Sequence, residues 1–175
     1  MPRYGILVTC LLAGALSTSV ADAAIKFTDA SAFATDGNLS PASLTGTSST
    51  SPVHGGLFVT FKEVGLGSNE GTLYRVTADA SATYGCVNGG NQHPNATNKE
   101  TVSGPVQASA TFTSGKNGSV SGSIAVAPLA AGSFSCPAGQ TLALIAVSYT
   151  NVVLTDLTNN ISVSIPGTFS LTLVP

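Results

Sequence analysis

Charge is what this sequence has least of. Only 8% of its 175 residues are Asp, Glu, Lys or Arg, against about 25% in an average soluble domain. Six basic residues stand against eight acidic ones, for a net charge of −2. That leaves no basic patch to hold a nucleic-acid backbone or an anionic membrane, and no acidic tract to store cations. Tryptophan is absent and aromatics make up 6% of the chain, so a sugar platform built from stacked rings has little to draw on. Of the four tyrosines, Tyr4, Tyr74, Tyr84 and Tyr149, only Tyr149 is expected to present its ring outward, because its parity is opposite to that of Leu144 and Ala146. A helical period is missing as well: beyond the first 23 residues no stretch repeats its apolar positions at three and four.

Cysteines number three, and the N-terminus decides which of them count. Arg3 precedes an apolar run from Ile6 to Leu16, and Ala21-Asp22-Ala23 follows, the small-x-small pattern that signal peptidase reads. The run is too short to span a bilayer, and no second run follows to stop transfer. Residues 1–23 are therefore expected to be a secretory signal peptide, with a secreted chain beginning at Ala24 and no membrane span. Cys10 leaves with the leader; a lipoprotein role is disfavoured because the apolar segment continues through Leu11 and Leu12. Cys86 and Cys136 remain, and in an oxidising compartment such a pair reads as one disulfide. Closing a loop of about fifty residues should stabilise the fold by roughly 3–4 kcal/mol.

An apolar fraction of 43% supports a packed core and argues against disorder. Residues 24–56 are expected to form a short N-terminal strand and a flexible polar loop, Gly37 to Gly56, with the core of a single domain over 57–175. From residue 57 the period is two. Leu57, Val59 and Phe61 alternate with Thr60 and Lys62; Tyr74, Val76, Ala78, Ala80, Ala82 and Tyr84 alternate with Arg75, Thr77, Asp79, Ser81 and Thr83. The small residues on that apolar face leave room for a bulky side chain opposite, such as Phe112 or Phe169. Asn117-Gly118 sits between two alternating runs, 106–113 and 120–126, and predicts a hairpin. A further strand over 142–154 turns at 156–160 into Ile161 to Ile165, and 168–174 closes the chain.

Short strands without intervening helices imply an all-β fold, an antiparallel β-sandwich of seven to eight strands with immunoglobulin-like architecture; a small β-barrel is the alternative. The Trp that a true immunoglobulin domain places between its cysteines is not there. The two largest irregular segments, 85–105 and 128–140, are tied by the Cys86–Cys136 pair and are expected to share one surface. Asn88, Asn91, Gln92 and His93 on that surface form the candidate binding loop.

Catalytic chemistry has few carriers. No G-x-S-x-G elbow is present, and Glu63, Asp79 and Asp156 are expected to face outward from their strands. His54 and His93 fall in different loops, with no metal-binding spacing around either; the oxygens of Thr28-Asp29 and Thr35-Asp36-Gly37-Asn38 form no calcium loop. No catalytic residue, metal or cofactor is assigned. N-x-[ST] sequons at Asn38, Asn95, Asn117 and Asn160 fall in predicted turns and would be glycosylated only on a eukaryotic secretory route.

Phe61 to Gly67 (FKEVGLG), Ala82 to Gly90 (ATYGCVNGG), Thr101 to Val106, Phe112 to Gly118, Phe134 to Leu142 (FSCPAGQTL) and Ser148 to Val152 together resemble a group of small secreted microbial proteins of actinobacterial type. Members are single-disulfide β proteins with no established activity. The resemblance spans about residues 57 to 170 with both cysteines; it implies a secreted one-disulfide domain and carries over no catalytic residue. Two functions remain in competition. One is a non-catalytic module that binds a polysaccharide or cell-surface component through the stapled loops. The other is a pilin-like or matrix subunit that self-associates by strand addition, donating Ala24 to Thr28.

Overall fold

The computed structural model describes residues 24–36, 54–88 and 98–173. The expected leader 1–23 with Cys10, the polar stretch 37–53, the binding-loop residues Asn91, Gln92 and His93, and the sequons at Asn38 and Asn95 all lie outside the described residues.

Eight strands follow in order: β1 (Lys26–Thr35), β2 (Gly56–Val64), β3 (Gly71–Asn88), β4 (Lys99–Thr113), β5 (Ser119–Val126), β6 (Gln140–Asp156), β7 (Ile161–Ile165) and β8 (Phe169–Thr172). They form a three-stranded sheet in the order β1-β2-β5 and a five-stranded sheet in the order β4-β3-β6-β7, with β8 also paired to β6. Every pairing is antiparallel. The two sheets do not close on each other, so the molecule is a β-sandwich and not a barrel. Their inner faces meet in one core that includes Leu57, Val59 and Phe61 from β2, Tyr74 to Ala82 at alternate positions of β3, Ile124 and Val126 from β5, and Val147, Tyr149, Val152 and Leu154 from β6.

Alternation in β2 and β3 holds as the sequence predicts; several other expectations do not. Asn117-Gly118 does make a tight turn, with Gly118 at φ 66° and its N–H donated to the Gly115 carbonyl at 2.9 Å. Yet β4 and β5 on either side of it belong to different sheets, β4 paired to β3 and β5 to β2. A turn signal specifies only a reversal of direction; partner choice is made by which sheet edge each strand can reach. The predicted irregular segment 85–105 is strand at both of its described ends: β3 runs on to Asn88 and β4 starts at Lys99, with Gly85 opposite Lys99. Finally, Phe112 and Phe169 lie on β4 and β8, in the same sheet as the small residues of β3, so neither covers them from across the core. Phe112 turns instead toward β5, where a Cβ on Gly122 would come within 2.5 Å of its ring.

The bridge forms as expected between Cys86 and Cys136, with Cα atoms 5.5 Å apart. It does not join two loops. Cys86 is a buried residue of β3 whose register partner is Leu142, and Cys136 comes from the 127–139 connection between β5 and β6. The Tyr84 hydroxyl donates to the Leu129 carbonyl of the same connection, giving that crossover a second anchor. Replacing Cys86 and Cys136 together by Ser should cost about 2–5 kcal/mol. Urea unfolding should show that loss, and proteolysis should cut the 127–139 connection first in the variant.

Candidate functional site

Polar groups gather at three places: the stapled end, a buried acid cluster, and the outer face of the five-stranded sheet. At the stapled end only Asn88, the exposed last residue of β3, belongs to both the candidate binding loop and the described residues. The structure thus neither brings the four candidate residues together nor separates them.

The acid cluster corrects the sequence reading. Glu63 and Asp156, expected to face outward, are both fully buried. Glu63 continues the inward parity of Leu57, Val59 and Phe61; its charge, not its position, suggested an outward side chain. Asp156 is turned inward by a bulge in β6, described below. The Tyr74 hydroxyl donates to Glu63 Oε2. Asp156 is the register partner of Tyr74 and accepts from the backbone N–H groups of Thr158 and Asn159 at 2.8 and 2.9 Å, and from the Asn159 side-chain amide at 2.6 Å. Those bonds close the β6–β7 turn, in which Asn160 has φ 56°.

Burial pushes the Glu63 carboxyl up to about 7; the Tyr74 hydrogen bond opposes that shift and the nearby Asp156 carboxylate adds to it. Protonated, Glu63 can donate to Asp156, whereas in the ionised form its Oε1 has no donor to receive. Burial, together with the adjacent Glu63, also raises the Tyr74 phenol well above its ordinary range and keeps it protonated. Around this cluster Phe27 and Phe61 of one sheet meet Tyr74 and Phe112 of the other, with Phe61 and Tyr74 ring centroids 4.6 Å apart. Both carboxylates are thereby sealed from solvent. They are a polar tie between the sheets.

Tyr149, the ring expected outside, is fully buried and donates to the Gly55 carbonyl at 2.7 Å. Two bulges explain the error. Thr83 pairs with Ala146 and Tyr84 with Leu144, so Ile145 is an extra residue that reverses the parity of β6. Thr77 pairs with Val153 and Asp79 with Thr150, a second irregularity at which Asn151 takes φ 52°. Tyr149, Val152, Leu154 and Asp156 consequently all point inward. The exposed aromatic among the described residues is Phe33 of β1, 43% exposed and stacked on Phe58 with centroids 5.7 Å apart.

Because bulges set the parity, the outer face of the five-stranded sheet carries rows of hydroxyls. Ser103, Ser81, Ser148 and Ser170 cross it on β4, β3, β6 and β8, joined by hydrogen bonds of 3.2 Å between Ser103 and Ser81 and 3.0 Å between Ser170 and Ser148. Thr101 and Thr83, 3.0 Å apart, begin the adjacent row, which ends at Thr172. Asp79 stands beside the serines, its Oδ2 accepting from the Asn151 amide at 2.8 Å. Shallow hollows lie along this face: one of about 450 Å³ over Asp79, Ser81, Ser103, Ser148 and Thr150, and one of about 520 Å³ from Thr150 to Val153 and Ser164 to Thr168. Alternation announced a polar face. The bulge that presents Asn151 left no signal beyond an Asn within a β-branched run.

Among the described residues, no three His, Cys, Asp or Glu side chains converge to hold a metal ion. His54 is a tie between strand ends, its Nδ1 lying 2.7 Å from the Asp36 carbonyl.

The acid cluster generates a test. The raised carboxyl of Glu63 means that the folded state holds its proton more tightly than the unfolded chain, whose ordinary value is 4.5. Its contribution is therefore complete below about 4.5 and lost as pH rises toward 7, by up to about 3 kcal/mol. Glu63→Gln, neutral at every pH, should remove that slope. Urea midpoints of both proteins between pH 4 and pH 8.5 measure the difference, and parallel profiles would refute the buried proton.

Compared with known proteins, the chain matches no protein-family model, no curated protein and no solved structure.

Proposed function

We propose that this protein is a secreted, non-catalytic β-sandwich of immunoglobulin-like architecture that binds a polysaccharide or another hydroxyl-rich component of a cell surface. The observation that carries the reading is the outer face of the five-stranded sheet, where hydroxyl rows flank hollows holding a single carboxylate–amide pair. Hydroxyls that both donate and accept match ligands composed of the same groups. The disulfide and the absence, among the described residues, of a helix long and apolar enough to cross a membrane suit an extracellular protein. A leader at 1–23 and the resemblance to small secreted microbial proteins agree with that placement. A non-catalytic role is supported by the sealing of Glu63 and Asp156 from solvent. The stapled-loop surface around Asn88 stays a second contact area within this proposal.

A structural subunit assembled by strand addition is the second reading, and β1 favours it. That strand is an edge strand, paired to β2 alone from Lys26 to Thr35, and it contributes Phe27 to the aromatic cluster between the sheets. A β1 delivered by a second copy would satisfy the same partners.

The purified mature chain is expected to sediment with at least one insoluble polysaccharide at micromolar concentration; failure on a broad panel and on a glycan array would remove the first reading. Size-exclusion chromatography across a hundredfold concentration range tests the second, since a strictly monomeric protein rules out strand exchange between copies.

A further inference from the structure

Both neighbours of β6 break register at the same point. On the β3 side, Asn151 is the additional residue, held at φ 52°. On the other side β7 ends opposite Val152 and β8 begins opposite Tyr149, so Thr150 and Asn151 have no register partner there. The chain crosses that gap through Pro166, which has no N–H to offer, and Gly167 at φ 129°. A positive φ at a residue other than glycine costs conformational energy, and such residues persist where the surrounding structure imposes them, often at binding sites. Here the strain turns the Asn151 side chain outward onto Asp79.

The two hollows meet at Thr150, which lines both. Side by side they make a discontinuous trough across the strands, one hollow reaching to Ser103 on β4 and the other to Thr168 before β8, with strands spaced about 4.8 Å apart. Where they adjoin, Asp79 Oδ2 is occupied by the Asn151 amide, while Asp79 Oδ1 and the side-chain oxygen Oδ1 of Asn151 have no side-chain partner among the described residues. Two neighbouring acceptors, one of them charged, are suited to two hydroxyl donors on adjacent carbons, because hydrogen bonds to a carboxylate are the stronger kind. Arg75 lies four residues along β3, about 13 Å away, too far to neutralise an acidic ligand held against Asp79. An acidic group on the ligand is therefore disfavoured at this point, and a neutral hydroxyl pair matches the two acceptors.

We propose that this trough binds a neutral, 1,4-linked polysaccharide, with the free 2- and 3-hydroxyls of one sugar received by Asp79 and Asn151. A 1,4-linked chain leaves that vicinal pair free on every internal unit; a 1,3-linked chain leaves no two adjacent hydroxyls. The inference rests on the polysaccharide reading above and supplies its site and linkage.

Sedimentation with cellulose, insoluble xylan and starch, against the 1,3-linked glucan curdlan, tests the inference. Retention is expected on at least one 1,4-linked polymer, with roughly tenfold weaker binding to curdlan. Binding should also fall when the same polymer is oxidised with periodate and reduced with borohydride, which cleaves vicinal diols. Asp79→Asn, at an exposed position, and Asn151→Gly, which relieves the positive φ, should each weaken binding by roughly tenfold without lowering the melting temperature. A wild-type protein that binds none of the polymers removes the polysaccharide reading along with the site. A wild-type protein that binds, with both variants retained equally or with curdlan bound as well, overturns the trough and leaves the parent reading standing. Loss of binding in Phe33→Ala with the two trough variants unaffected would move the site to the three-stranded sheet and equally overturn it.

Discussion

The pairing of β3 with β6 holds everything else in place. Their antiparallel register runs from Tyr74 opposite Asp156 to Asn88 opposite Gln140, and it forms the spine of the five-stranded sheet. At one end of that spine lie the aromatic cluster and the buried acids; at the other lies the bridge from Cys86 to Cys136. Two strands of 18 and 17 residues cannot stay in strict alternation over their whole length and still follow the twist of a sandwich. The bulges in β6 relieve that conflict. Each also shifts which residues face the core, so the accommodation of twist and the chemistry of the outer face are one event.

Low charge and buried charge are linked in the same way. A chain with eight acids places two of them, Glu63 and Asp156, where no solvent reaches. Burying an ionised pair side by side is expensive, and here burial favours the neutral form of Glu63 while Asp156 is met by the donors of the 157–160 turn. The result is a polar tie between β2 and β3, from the Tyr74 hydroxyl to Glu63, with a directional preference that apolar packing alone does not have. Tyr149, reaching Gly55 across the core, is a second such tie. Solubility then falls to the serines and threonines outside, which is why the broad sheet face is a lattice of hydroxyls with scarcely any charge.

Much of the fold was legible in the residues because a sheet's apolar face has a period of two. The inward rows of β2 and β3, the β6–β7 turn at Asp156 to Asn160 and the pairing of Cys86 with Cys136 all follow from local pattern or from arithmetic on cysteines. The candidate site was far less legible. Asp79 could be placed on an outward row, but Asn151 reaches it from a residue 72 positions away, through a bulge that alternation cannot announce. Tyr149 was misplaced by one intervening residue, Ile145, since a single insertion exchanges inside and outside for everything that follows.

By itself, then, the sequence determined the class of structure: strands without helices, a single bridge and a surface of hydroxyls. Those depend on composition and on the spacing of near neighbours along the chain. Only the tertiary structure decided which strands share a sheet, that β4 and β5 part at Asn117-Gly118, that Glu63 and Asp156 meet inside, and that Asp79 and Asn151 meet outside. Each of those outcomes is a contact between residues far apart in the chain. Its energy depends on twist, register and burial, which exist only once both sheets are in place.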